Sequence, residues 1–254
     1  MLRTISSTNR SLRSLTPGNC NVSTMTLCGT LDSVVRISAI AKSMEKHATL
    51  ETHGLAFPGA SKKSKGTTTF QNQLTIKSGT TSIKLFSNGA IQVTGAKSPI
   101  HFLDVMDRVC SALGAVQDVT PTLSSASISM INAIFSTARV LPLRVLRQAF
   151  EAAGHDASYD PDSYPGVNAK ICTTEKHRVT VMIFTTGSVI ISGAKTPENV
   201  SEVYGIVCGL IDALPDAAKV QAPKTKPFSA KLVDAYGIIG GYPARIANLC
   251  NWIG

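Results

Sequence analysis

Phe86 and Phe184 occupy the same place in two near-copies of one stretch, LFSNGAIQVTGAKSP (85–99) and IFTTGSVIISGAKTP (183–197). The copies are identical in register at Phe86/Phe184, Gly89/Gly187, Gly95/Gly193, Ala96/Ala194, Lys97/Lys195 and Pro99/Pro197, while Thr94/Ser192 and Ser98/Thr196 are chemical twins. Aromatic, hydroxyl and lysine side chains at repeated positions supply the chemistry of contact: flat apolar surfaces, small hydrogen-bonding groups, and cations that hold an anion. Bond-breaking chemistry has no such footing. The sequence contains no phosphate-cradling loop, nucleophile turn or metal-ligand spacing, so no catalytic residue, metal or cofactor is expected. Asp156, Asp160 and Asp162 near His155 read as an aspartate-rich turn. The six cysteines have no C-x-x-C spacing, which argues against a zinc site or a disulfide framework and for a reducing compartment.

The elements that must position these residues follow from periodicity. Asn88-Gly89 is a hairpin signal, since both residue types tolerate positive φ. The flanking strands alternate, with Ile83, Leu85, Ile91 and Val93 on one face and Lys84, Phe86, Gln92 and Thr94 on the other. The second copy sets Val181, Ile183, Val189 and Ile191 against Met182, Phe184, Ile190 and Ser192. One face is then buried and the other open. Ser98-Pro99 and Thr196-Pro197 each place a capping hydroxyl before a first-turn proline. The helices that follow bury Phe102, Val105, Met106, Val109 and Leu113 in one copy, and Val200, Val203, Tyr204, Val207, Leu210, Ile211 and Leu214 in the other. Opening strands are expected in NVSTMTL (21–27) and NAIFSTARVLP (132–142), and an aromatic-Pro-Gly turn in GLAFPGA (54–60) and SYDPDSYPGV (158–167).

The chain divides into a basic tail (1–18), a first repeat (19–117), a linker (118–125), a second repeat (126–215) and a C-terminal extension (216–254). No apolar run approaches the roughly 18 residues of a membrane span. The formal net charge of +9 is unevenly spread, at +5 over residues 19–117 and −1 over residues 126–215. That asymmetry fits a polyanion gripped unequally by the two repeats. The open faces carry small hydroxyls and aliphatics, among them Val22, Thr24, Thr94, Ser136, Ser192, Ile134 and Ile190. This suits a DNA minor groove, whose floor offers acceptors and whose sugars form apolar walls.

At these residues the chain resembles the TATA-box-binding-protein family, on the duplicated GAK hairpin, SYDPDSYPG and INAIFSTARVLP. The resemblance implies an α+β saddle: two pseudo-symmetric repeats forming one curved antiparallel sheet of about ten strands, with helices on the convex face. It implies a non-enzymatic transcription initiation factor, monomeric on DNA and acting in the nucleus or at a site of viral transcription. Such a factor binds and bends A·T-rich promoter DNA through the minor groove, and the family is itself the standard case of wedge insertion and kinking. Carried over by position, the wedge aromatics are Phe57 with Phe86 and Tyr164 with Phe184; Phe70 is the alternative to Phe57 on spacing. The groove-facing residues are Val22, Thr24, Lys84, Gln92, Thr94, Asn132, Ile134, Met182, Ile190 and Ser192. Lys63, Lys97, Lys170 and Lys195 would hold phosphates. Asp160 and Asp162 would meet a transcription factor IIB-like partner, alongside the RNA polymerase machinery.

Departures from the family are informative. Cys20 aligns with the first repeat's central asparagine, and Lys84 and Gln92 replace aliphatics. Ser163 replaces a leucine at the factor IIB contact, and the helix after Lys97 is no longer strongly basic. These changes point to a fast-evolving version, such as one from a large DNA virus. They also motivate an alternative function, a protein-interaction scaffold with weakened bending.

Overall fold

The computed structural model describes residues 20–37, 39–40, 54–56, 73–117, 120–137, 139–214 and 220–221. Phe57, Lys63 and Phe70 lie outside the described residues, as do the 1–18 tail and most of the 216–254 extension. The elements, in chain order, are β1 (Asn21–Leu31), β2 (Gln73–Ser78), β3 (Thr81–Phe86), β4 (Ala90–Ala96), α1 (Pro99–Gln117), β5 (Leu123–Ser136), β6 (Arg139–Val140), α2 (Leu143–Ala152), β7 (Asp156–Ser158), β8 (Gly166–Cys172), β9 (Arg178–Phe184), β10 (Ser188–Ala194), α3 (Pro197–Asp212) and β11 (Val220–Gln221). Nine strands hydrogen-bond in the order β2-β3-β4-β1-β5-β10-β9-β8-β7, and β6 pairs with β11. Among the described residues, one bridge, Ala56 with Lys77, stands in the place where the second repeat has β7.

The described residues form two compact units, one over 24–129 and the other over 20–23 with 130–221. In the first-repeat unit, β2, β3 and β4 form a meander and β1 pairs with β4. Its core is Met25, Leu27, Leu74, Ile76, Ile83, Leu85, Ile91 and Val93 under Phe102, Val105, Met106, Val109 and Leu113 of α1. In the second-repeat unit β8, β9 and β10 form the meander and β5 pairs with β10. There Val167, Ala169, Val181, Ile183, Val189 and Ile191 pack with Val203, Val207 and Ile211 of α3. Tyr204 and Leu210 are half-buried instead of core, and the Tyr204 ring lies 4.6 Å from that of Phe135.

Both helix starts are built as the capping signals predict. The Ser98 hydroxyl accepts from His101 N–H at 3.1 Å, and the Thr196 hydroxyl accepts from Asn199 N–H at 3.2 Å. Each third-position side chain reaches back in return: His101 Nδ1 accepts from Lys97 N–H, and Asn199 Oδ1 from Lys195 N–H. This reciprocal arrangement satisfies donors that the first helical turn leaves over.

The hairpin loops differ in detail from the two-residue expectation. Each has three residues, closed by Gly89 N–H to Phe86 O at 3.0 Å and Gly187 N–H to Phe184 O at 2.9 Å. Only the glycine takes positive φ (83° and 79°); the Asn88 side chain instead accepts from Ala90 N–H. A three-residue loop needs one left-handed residue, after a type I turn.

Candidate nucleic-acid interface

Every groove-facing residue expected from the sequence that falls among the described residues lies on a strand face away from its unit's helices. The two rows of each face follow from strand register. In the second-repeat unit Asp156, Lys170, Thr180, Ser192 and Asn132 are consecutive cross-strand partners. The next row is Asn168, Met182, Ile190 and Ile134. In the first-repeat unit the matching rows are Ala56, Lys77, Ser82, Thr94 and Thr26, then Thr75, Lys84, Gln92 and Cys28. Val22 and Thr24 share strand parity with Thr26, while Met25 and Leu27 point into the core.

The amide of Asn132 is held at the inner end of its row, accepting from the Ser192 hydroxyl at 2.8 Å. Ile134 is 44% exposed, a large apolar side chain on an uncovered strand face. At the outer end of β9, the Tyr164 and Phe184 rings lie 5.9 Å apart and tilted by 56°, and the Tyr164 hydroxyl donates to Met182 Sδ at 3.4 Å. The sequence-predicted second-repeat pair is therefore assembled. Gly166 makes this possible, because a Cβ there would stand 3.1 Å from the Phe184 ring. In the first-repeat unit Phe86 pairs with Gln73 and borders an open cleft of about 440 Å³ with Ser87, Asn88 and Ala90.

Tyr164 is carried by a turn that Asp160 holds. The Asp160 carboxylate accepts from the Ser163 hydroxyl at 2.5 Å and Asp162 N–H at 3.2 Å, and its backbone carbonyl accepts from Tyr164 N–H at 2.8 Å. The Ser163 hydrogen bond, then that of Asp162, keeps the carboxyl below its ordinary pKa. Asp162 is exposed on the same turn. Lys97 and Lys195 are exposed where β4 and β10 run into the helices.

Register changes two sequence assignments. The first-repeat counterpart of Asn132 is Thr26, since Thr26 pairs with Thr94 as Asn132 pairs with Ser192. Cys20 precedes β1, and burial, then the charge of Cys208, pushes its thiol up to about 11. Two basic residues were missed. Lys77 stands in the register of Lys170, and Arg178 lies on the same face as Lys170. The signal for Lys77 was hidden because the β2–β3 turn spans residues 79–80, whereas the β8–β9 connection spans 173–177.

The family model described as "Transcription factor TFIID (or TATA-binding protein, TBP)" matches residues 127–214. TATA-box-binding protein 2 of Methanosarcina mazei is 24% identical over 128 residues, covering 50% of this chain and 67% of the relative. The TATA-box-binding protein of Aeropyrum pernix is 30% identical over 125 residues, 49% of this chain and 57% of its own length. The solved Methanococcus jannaschii TBP superimposes with a TM-score of 0.57 at 15% identity, covering 77% of this chain and 99% of that one. Residues 127–214 thus match the TATA-binding-protein family, and the fold of the described residues is that of a TATA-binding protein. The family is one of non-enzymatic transcription initiation factors, and the α+β fold is the TATA-binding-protein fold. Within that frame, the rows from Lys170 to Asn132 and from Lys77 to Thr94 are two candidate contact tracks, with Thr26 buried at the inner end of the second.

Proposed function

We propose that this TATA-binding-protein relative binds A·T-rich double-stranded DNA through the minor groove, bends it, and recruits transcription machinery at the promoter. The single observation that carries this reading is the Tyr164–Phe184 ring pair, assembled on an uncovered strand face beside Met182 and Ile190. Apolar wedges between base steps unstack and kink a duplex, and the hydroxyl and amide row supplies donors to minor-groove acceptors. Lys170, Lys195, Lys97 and Lys77 supply phosphate contacts, and Lys63 and the Phe57 or Phe70 partner of Phe86 belong to the same reading. The Asp160–Asp162 turn is the proposed contact for a transcription factor IIB-like protein. The site of action is the nucleus, or the site of transcription of a large DNA virus, with the protein monomeric on DNA.

The test is energy transfer between dyes at the ends of A·T-rich and G·C-rich duplexes, titrated with the full chain at two salt concentrations. Bending of the A·T-rich duplex alone, weakened by salt, is expected. Absence of bending overturns the reading. A second reading, a scaffold that has lost sharp bending, is favoured by one observation: Lys84 and Gln92 are direct cross-strand partners in the row where the second repeat has Met182 and Ile190. That reading expects weak binding with no A·T preference.

A further inference from the structure

Asp156 is the one carboxylate on the second repeat's lysine row. It pairs directly with Lys170 across β7 and β8, and its Oδ2 lies 3.8 Å from Lys170 Nζ and 3.4 Å from an Arg178 guanidinium nitrogen. Both cations address the same carboxylate oxygen, and all three side chains are about half or more exposed (61%, 47% and 69%). Lys170 and Arg178 lie on the outer strand face: Lys170 is in the register that continues to Thr180, Ser192 and Asn132, and Arg178 is two residues from Thr180 along β9. The matching position in the first-repeat unit is Ala56, bridged to Lys77 by backbone bonds of 2.7 Å in both directions, with no acid in the row.

A carboxylate oxygen shared by an ammonium and a guanidinium reproduces the way a DNA phosphate oxygen is held. We propose that Asp156 is an internal phosphate substitute: it orders Lys170 and Arg178, occupies the place of a backbone phosphate, and sets how strongly the second repeat grips DNA. This rests on the DNA-binding reading above. A surface ion pair of this exposure is weak, so an incoming phosphate displaces it, at the cost of repulsion from the carboxylate left behind. Asp156 thus lowers affinity where the first repeat's Lys77 row carries no such brake. The local balance matches the charge asymmetry of the sequence, basic over 19–117 and slightly acidic over 126–215.

The experiment is a salt series of equilibrium titrations on an A·T-rich duplex with the full chain, Asp156→Asn, the Lys170→Gln/Arg178→Gln pair, and the three changes combined. Asp156→Asn is expected to tighten binding roughly two- to fivefold at moderate salt, the scale of one surface charge pair. It should also steepen the salt dependence by about one unit of slope. In the background lacking both cations the gain should vanish. An equal gain in that background would mean a general net-charge effect and overturns the proposal, as does an unchanged affinity in Asp156→Asn. Wild-type protein that fails to bind the duplex at all removes the DNA-binding reading itself, and this inference with it. All three side chains are exposed, and thermal melting of each variant verifies that the fold is intact.

Discussion

Tyr164 reaches Phe184 because one exposed carboxylate shapes the turn before it. Asp160 takes hydrogen bonds from Ser163 and Asp162, and these bonds lower its pKa. A carboxyl with a lowered folded pKa contributes fully above its unfolded value and loses that contribution as pH falls through the lower folded value. The ordering of the turn should therefore persist through the ordinary carboxylate range and fade only as pH falls through the lowered folded value. Nuclear Overhauser contacts between the Tyr164 and Phe184 rings are expected to weaken there while β9 and β10 amides remain protected. Asp160→Asn should give weaker contacts that no longer vary over that range. Contacts that persist unchanged after the Asp160 carboxyl signal shows it to be protonated would show that the Tyr164 N–H to Asp160 carbonyl bond suffices to hold the turn.

At the scale of elements, the repeated Gly-Ala-Lys is legible in the sequence as a repeat, but its physical meaning is a strand irregularity. Gly95 is an extra residue on β4 between the pairs Met25–Ala96 and Thr26–Thr94, and Gly193 is its twin on β10. Both take positive φ, 93° and 92°, which favours glycine. The extra residue reverses the alternation, so Thr94 and Ser192 face outward while Ala96 and Ala194 enter the cores. Alternation read from the sequence placed the strands and helices, whereas the resemblance aligned Cys20 with the first repeat's central residue, a position that strand pairing gives to Thr26. Pairing across a bulge is a tertiary fact that a single strand's pattern does not carry. Lys77 was missed for a similar reason, a hairpin connection of different length in the two repeats. Gly95→Ala and Gly193→Ala should both destabilise by about 1–3 kcal/mol from backbone strain. Gly95→Ala should cost more, because its Cβ would also meet the Thr80 carbonyl at 3.0 Å, whereas at Gly193 the nearest atom is 3.7 Å away. Urea denaturation measures both, and equal losses would mean the Thr80 carbonyl moves aside freely.

At the scale of the whole molecule, the two repeats share a backbone plan and differ in surface chemistry. Their outer rows match position for position, but the places held by Met182, Ile190 and Ile134 in one repeat are held by Lys84, Gln92 and Cys28 in the other. An apolar row favours dry contact with sugar walls; a lysine and a glutamine favour a wetter contact dominated by charge. Duplication thus preserved what folding requires, the core face and the glycines, and left the outward positions to diverge. The functional consequence is testable on the first repeat alone. Lys84→Met with Gln92→Ile gives its row the character of the second repeat while leaving the buried partners Ile83, Leu85, Ile91 and Val93 untouched. If Lys84 contributes a phosphate-directed charge, the salt dependence of duplex binding should fall by about one unit of slope. Discrimination of A·T-rich from G·C-rich sites should rise, because the apolar contact gains while the sequence-independent attraction is lost. Fluorescence anisotropy on the two duplexes between low and moderate salt gives both quantities. A slope that stays the same, with unchanged discrimination, would mean that the first repeat's Lys84 row does not touch DNA, and that its polar pair serves a protein partner instead.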